Sequence, residues 1–265
     1  MKGERLDAAM VARGLAPSRN AAQGIILAGD VLVNGEPAQK AAQPVTDLDA
    51  IEVGSQRKYV SRGGYKLEKA LSVFPVDLTG KTCLDIGAST GGFTHCMLQN
   101  GAAKCYAIDV GYGQLDYTLR NDNRVVSMER YNARNLRKED VGGKADFASI
   151  DVSFISLKLI LPPLFFCLRD GGEAVALIKP QFEAGKEQVG KNGVVRSATV
   201  HKAVCLSVLT FAQEHGFGVS GLDYSPIKGP KGNVEFLAYL IKNGASLGES
   251  QLSTLIDGVL SSVSF

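Results

Sequence analysis

The chain has 265 residues, with 29 Lys and Arg against 27 Asp and Glu, giving a formal net charge of +2. Its 45% apolar and 21% charged content is ordinary for a globular protein and excludes a disordered or fibrous chain. The longest apolar run, Leu159 to Leu168, is broken by Pro162 and Pro163 and falls well short of the ~20 residues that cross a bilayer.

The opening MKGERLDAAM carries charges where a secretory leader would be apolar, so a cytoplasmic chain without stable membrane association is expected. Residues 5–12 set Leu6, Ala9 and Met10 on one helical face and stop at Gly14. Ser18 suits the N-cap of a second helix reaching residue 28, with Ala22, Ile25 and Ile26 on its apolar side. Val31-Leu32-Val33, the Asn34-Gly35 pair and Ile51-Glu52-Val53 predict a small sheet with a tight hairpin. A small α+β module over 1–56 is therefore expected, followed by a basic linker at 57–61. From Arg62 the pattern changes. A helix over 62–74 precedes strand-like runs at 82–86, 104–110, 124–128, 145–152 and 173–178, with helical segments at 92–100, 155–168 and 197–215 between them. Such alternation predicts an α/β domain over 62–245, a mostly parallel Rossmann-like sheet covered by helices. Two later strands, 217–224 and 234–241, have no helix between them and are expected as antiparallel neighbours. Residues 246–265 carry Leu252, Leu255, Ile256, Val259, Leu260 and Val263 at helical spacing, which predicts a terminal helix packed on that domain. Five cysteines form no Cys-x-x-Cys pair, and His95, His201 and His215 are scattered, so reduced thiols and no metal site are expected.

The segment Asp85-Ile-Gly-Ala-Ser-Thr-Gly-Gly-Phe-Thr94 follows a strand and opens a helix, where glycines admit a ligand to backbone N–H groups. Its spacing, D-x-G-x-x-x-G-G, departs from the dinucleotide G-x-G-x-x-G. An acid before the first glycine suits an ammonium group better than a pyrophosphate. One β-α-β step later, Asp109 ends a strand where a carboxylate can accept both ribose hydroxyls of an adenosine. Glu129 and Asn132, past the third strand, are placed to meet an adenine edge. Together these residues fit S-adenosyl-L-methionine, with Asp85, Gly87, Ser89, Gly91, Gly92, Phe93, Asp109, Glu129, Asn132 and Asp151 as candidate cofactor contacts. The plainer alternative is a tight turn with no ligand, and the sharper competitor is NAD.

Four charged residues fall where a doubly wound sheet would gather them. Lys66 lies on the helix before the first strand, and Asp151 and Lys179 close two otherwise apolar strands. Glu235 opens the last strand. Charges at the ends of apolar strands are costly unless paired. Each alone reads as a structural ion pair; the set reads as a site.

This tetrad, Lys66, Asp151, Lys179 and Glu235, with DIGASTGGFT before it, resembles the Lys-Asp-Lys-Glu set of FtsJ-type RNA 2′-O-methyltransferases. Arg5-Leu-Asp7, Ser18-Arg19 and Ile25-Ile-Leu-Ala-Gly-Asp-Val-Leu-Val-Asn-Gly35, with Lys40, resemble the S4 RNA-binding module. Both modules, joined by a linker leading into Val60-Ser-Arg-Gly-Gly-Tyr-Lys66, are similar to the TlyA family, long known as haemolysins. Tyr59 stands where the family often carries Trp. The resemblance implies methylation of cytidine 2′-hydroxyls in ribosomal RNA of one or both subunits, with the assembled subunit as substrate. It makes the tetrad catalytic, with Lys179 accepting or orienting the hydroxyl proton, and gives Arg5, Arg13 and Arg19 RNA contacts in the S4 module.

Three further basic clusters suit phosphate contact around an extruded ribose. They are Arg57, Lys58, Arg62 and Lys66; Lys186, Lys191, Arg196 and Lys202; and Lys228 with Lys231. Each alone is more simply a solvated face. Three rivals are weighed beside the RNA enzyme: a membrane-active haemolysin using the terminal helix, a methyltransferase of proteins or small molecules, and a non-catalytic RNA-binding protein on a methyltransferase-like fold.

Overall fold

The computed structural model describes residues 3–27, 29–38, 40–54, 58–229 and 231–263. The chain divides into two compact units, Met1–Ser61 and Arg62–Phe265.

In the first unit, β1 (Glu4–Arg5) leads into α1 (Leu6–Ala12), followed by α2 (Arg19–Leu27), β2 (Val31–Val33), β3 (Glu36–Pro37), β4 (Pro44–Val45) and β5 (Ile51–Val53). The Ser18 hydroxyl accepts from the Ala21 amide and so caps α2. Asn34 and Gly35 both take positive φ, 55° and 81°, the mirror-image turn that matches strand twist between β2 and β3. The Asn34 side chain also accepts from the Ala50 amide and donates to Asp49, which ties the hairpin to β5. Pairing of β1 with β4 was not legible, because two-residue strands carry no periodicity. Leu6, Met10, Ala22, Ile26, Val31, Val33 and Val45 form the small core.

The second unit opens with α3 (Gly63–Val73) and continues β6 (Thr82–Ile86), α4 (Gly92–Gln99), β7 (Lys104–Ile108), α5 (Tyr117–Arg120) and β8 (Val125–Met128). Then come β9 (Ala145–Ile150), α6 (Leu161–Cys167), β10 (Leu168–Ile178), α7 (Pro180–Glu183), α8 (Ala198–Glu214), β11 (Phe217–Tyr224), β12 (Phe236–Lys242) and α9 (Glu249–Ser261). Among the described residues these strands form a seven-stranded sheet in the order β11-β12-β10-β9-β6-β7-β8. Strands β6 to β10 pair in parallel, while β12 runs antiparallel to both β10 and β11. The sheet is mostly parallel, as the alternation implied.

Two expected elements differ. The helix expected over 155–168 starts only at Leu161, after a 3-10 turn at Leu157–Leu159. Pro162 and Pro163 lack N–H groups and are tolerated only in a first turn, so the helix begins around them. Strand β10 begins at Leu168, ahead of the expected 173, because Leu168 pairs with Ala145 before an irregularity that ends at Glu173.

The topology sets the working edge. From β6 the chain moves outward to β7 and β8, then returns to place β9 on the other side of β6. Ligands of open sheets bind where the order reverses in this way, at the strands' carboxyl ends. There Gly87 has φ +85°, and a Cβ on it would lie 2.5 Å from the Asp151 carbonyl oxygen. Only glycine lets the β6 and β9 ends approach so closely. Leu252 and Ile256 of α9 are buried in the main core, so the apolar stripe of the terminal helix packs on this unit. Among the described residues no helix is long and apolar enough to cross a membrane. The five cysteines are buried free thiols.

Candidate active site

The four charges from distant parts of the chain meet at this edge. Lys66 Nζ on α3 lies 2.7 Å from Glu235 Oε2 and 3.6 Å from Asp151 Oδ2. Lys179 Nζ, just past β10, lies 2.5 Å from Asp151 Oδ1. The result is a continuous chain, Glu235–Lys66–Asp151–Lys179, of two cations and two carboxylates. Every member is largely buried: Glu235 keeps 2% of its side-chain exposure, Lys179 9%, Lys66 12% and Asp151 18%. Charges removed this far from water persist only when paired, and here each finds an opposite charge within the set, Asp151 Oδ1 meeting Lys179 by charge contact without a hydrogen bond.

Several neighbours that hold the tetrad carry no motif and were missed. Ser153 accepts a hydrogen bond from Lys179 Nζ at 3.0 Å. The Gln181 amide donates to Glu235 Oε1 at 3.3 Å. One turn beyond Lys66, Lys69 pairs with Asp223 at 3.0 Å, donates to the Tyr224 carbonyl and lies 3.6 Å over the Tyr224 ring. That contact moors α3 to the end of β11 and so aims Lys66. Asn233, only 3% exposed, accepts from the Val195 amide and donates to the Gly193 carbonyl, both at 2.9 Å. It fastens the loop after β10 to the loop before β12, two residues from Glu235. The Asn233 signal was available: a polar residue within Gly-Asn-Val-Glu, beside a tetrad member.

The glycine segment behaves differently from one expectation. Asp85 was expected to face a ligand's ammonium group. Its side chain is instead fully buried, accepting from the Thr94 amide at 2.8 Å, the Thr94 hydroxyl at 2.6 Å and the Ser149 hydroxyl at 3.1 Å. Residue Gly91, in the left-handed conformation at the N-cap of α4, has no side chain to cap with. Asp85 therefore satisfies the free N–H of the first turn from below. Burial pushes its carboxyl up to about 6, opposed by the Thr94 and Ser149 hydrogen bonds.

Of the other candidates, Asp109 accepts from the Ser89 amide at 2.8 Å and the Gly111 amide at 2.7 Å, one bond to each oxygen. Ser89 itself has φ 49°. Ser89, Asp109 and Glu129 line one cleft with Ala88, Gly111, Gln114 and Leu115. Asn132 is engaged elsewhere: its side chain accepts from the backbone and side chain of Arg134, capping a 3-10 turn. It is not among the residues lining that cleft. Gly92 and Phe93 begin α4 and are buried.

The basic residues also separate. Lys191 and Arg196 line one concavity of about 380 Å³ in the loop after β10. Lys231 reaches toward Gly193 from the loop before β12, so both loops share the tetrad's edge. Lys202 does not join them; it pairs with Asp257 of α9 at 2.6 Å. Arg62 precedes α3, Lys58 lies 5.4 Å over the Tyr59 ring, and Arg57 is outside the described residues. In the first unit Arg5 and Arg19 flank buried Asp7 at 2.9 and 3.2 Å, each staying about half exposed. Arg13 donates to the carbonyls of Thr46 and Asp49. The three arginines that the S4 resemblance assigns to RNA thus tie together parts of their own module. The guanidinium of Arg5 is the main reason that the Asp7 carboxyl sits well below the usual range.

Sheet order, the reversal between β6 and β9 and the charged chain beside the glycine loop define a Rossmann-like methyltransferase preceded by a small α+β module. The FtsJ-like methyltransferase family model matches residues 59–242, and the S4 domain model matches residues 4–51. The chain belongs to the FtsJ-like methyltransferase family. It is 49% identical over 238 residues to the 16S/23S rRNA (cytidine-2'-O)-methyltransferase TlyA of Mycobacterium tuberculosis, covering 89% of each chain. It is 47% identical to Hemolysin A of Brachyspira hyodysenteriae, covering 89% of this chain and 99% of the relative. A solved Streptococcus thermophilus structure is 48% identical with a TM-score of 0.77, covering 98% of this chain and 97% of the other.

Proposed function

We propose that the protein transfers a methyl group from S-adenosyl-L-methionine to the 2′-hydroxyl of cytidine in ribosomal RNA, acting in the cytoplasm on ribosomal subunits. The observation that carries this reading is the buried chain Glu235–Lys66–Asp151–Lys179 at the sheet edge beside the glycine loop. Similarity to the Mycobacterium tuberculosis rRNA methyltransferase supports the substrate class.

The cleft chemistry fits the cofactor. A carboxylate offers about four lone-pair positions, and backbone amides use one on each Asp109 oxygen. The remainder can accept ribose hydroxyls, and Glu129 adds a second acceptor on the same wall. When bound, S-adenosyl-L-methionine supplies a methyl group already activated for transfer. The protein's residues then have two tasks, positioning and proton handling. Lys179 is placed to orient or accept the 2′-hydroxyl proton. Asp151 holds Lys179 from one side, and Lys66, anchored by Glu235, fixes Asp151 from the other. Proton help of this kind contributes ~10²–10⁴-fold. Phe154, 90% exposed and packed on Phe182 at 4.9 Å, offers an aromatic face next to Ser153 for an unstacked base. Lys191, Arg196 and Lys231 supply cations for flanking phosphates, which makes subunit binding fall steeply with salt.

The test is transfer of labelled methyl groups from S-adenosyl-L-methionine to purified ribosomal subunits, with RNase and protease digestion and mapping of the modified ribose. Label that resists protease and is released by RNase at a cytidine 2′-oxygen is expected. Lys179→Ala should lose transfer by ~10²–10⁴-fold while calorimetry shows cofactor affinity unchanged. Label in protein, or cofactor affinity lost in parallel with activity, would overturn the reading.

A further inference from the structure

We infer that Ser153 is a positioning residue that aims the Lys179 amine at the substrate hydroxyl. This inference rests on the role given to Lys179 above and adds a residue to it.

The argument begins with the tetrahedral geometry of an amine nitrogen. Besides its bond to carbon, Lys179 Nζ has three directions. Ser153 Oγ takes one of them in a hydrogen bond at 3.0 Å, while Asp151 Oδ1 attracts the nitrogen at 2.5 Å as an ion pair without a hydrogen bond. The ion pair sets where the nitrogen sits, and the hydrogen bond sets how it is turned. In the ammonium form the two remaining positions are N–H groups; in the free amine one of them is the lone pair, which alone can receive a proton. Charge attraction to Asp151 has no preferred direction and by itself would leave the amine free to rotate about its bond to carbon. Ser153 removes that freedom, and it does so with a neutral acceptor that adds no charge to a balanced set.

The loop carrying Ser153 is built to stay in place. The next residue, Phe154, has φ +62°, a strained conformation for a bulky residue that persists only where the surroundings impose it. The Phe154 ring packs on Phe182 of α7. Glu183, also on α7, accepts from the Ser156 hydroxyl at 2.6 Å and the Leu157 amide at 2.7 Å. Residues 154 to 157 are thus clamped to the short helix that follows Lys179, so Ser153 and Lys179 are held by the same framework. Burial raises the Glu183 carboxyl above its usual range, against the pull of those hydrogen bonds.

The experiment compares wild type, Ser153→Ala, Ser153→Thr, Glu183→Ala, the Ser153→Ala/Glu183→Ala pair and Lys179→Ala on ribosomal subunits, measuring kcat, KM for subunits and cofactor Kd. Ser153→Ala should lower kcat by about ten- to a hundredfold with KM and Kd unchanged. Ser153→Thr keeps the hydroxyl and should restore most of the rate, which a merely structural role would not require. Glu183→Ala should lower kcat less, and the pair should be no worse than Ser153→Ala alone, since both act through one amine. Wild-type kcat in Ser153→Ala beside an inactive Lys179→Ala overturns the role of Ser153 and leaves that of Lys179 intact. An active Lys179→Ala overturns the Lys179 reading itself. A Ser153→Ala loss confined to KM or Kd assigns Ser153 to binding and also overturns the inference.

Discussion

Replacing Asp85 by Asn isolates the cost of a buried carboxylate beneath the glycine loop. The side chain is fully buried, and its carboxyl titrates in the fold at about 6 against 3.8 in the unfolded chain. Raised folded affinity for the proton means that the fold prefers the neutral acid. This contribution is fully present below the unfolded value and is lost as pH rises through the folded one. A shift of roughly two units at about 1.4 kcal/mol each corresponds to ~3 kcal/mol. Asn mimics the neutral acid: its carbonyl can accept from Thr94 and its amide can donate to Ser149. The difference in unfolding free energy, Asp85→Asn minus wild type, should therefore grow by ~3 kcal/mol between about pH 4 and pH 7, while other titrations cancel in the subtraction. Urea unfolding followed by circular dichroism measures it, since the chain has no Trp. Calorimetry should find cofactor affinity unchanged in the variant. A difference that stays flat across this range refutes the buried-charge argument, and a large loss of cofactor affinity returns Asp85 to the ligand.

Two further substitutions probe the scaffold. Asn233→Ala strips partners from the Val195 amide and Gly193 carbonyl, which should cost about 1–3 kcal/mol. It should also open residues 185–196 to limited proteolysis, and wild-type protease resistance would contradict the pinning role. Asp7→Asn breaks the contacts to Arg5 and Arg19 in the first unit. Because the Asp7 carboxyl is depressed in the fold, its stabilisation is present above the unfolded value and fades as pH falls through the folded one. The loss should be about 1–2 kcal/mol at neutral pH, below the ~3–5 kcal/mol of a fully buried pair because both arginines are half exposed. It should shrink in acid; calorimetry showing an equal loss at every pH would refute this.

The sequence alone determined the strand-helix alternation, the hairpin at Asn34-Gly35, the glycine loop and the four charges closing or flanking apolar strands. These features are local: periodicity, turn chemistry and the cost of an unpaired charge act within a few residues. Tertiary structure decided what the local signals could not reach. Asp85 had the right strand-end position for a ligand, yet Gly91 leaves α4 without a cap and the nearest carboxylate is drawn beneath it. Lys202 was spent on Asp257 of α9, whereas Asn132 caps its own 3-10 turn through Arg134, a local contact that turn chemistry could have revealed. Ser153, Gln181, Lys69 and Asn233 are ordinary polar residues in sequence and became parts of the site only because β9, β10 and β12 bring separate loops to one edge. Hydrogen-bond partnership at the tetrad depends on which segments meet at sequence separations of 26 to 169, and no short-range pattern encodes that meeting.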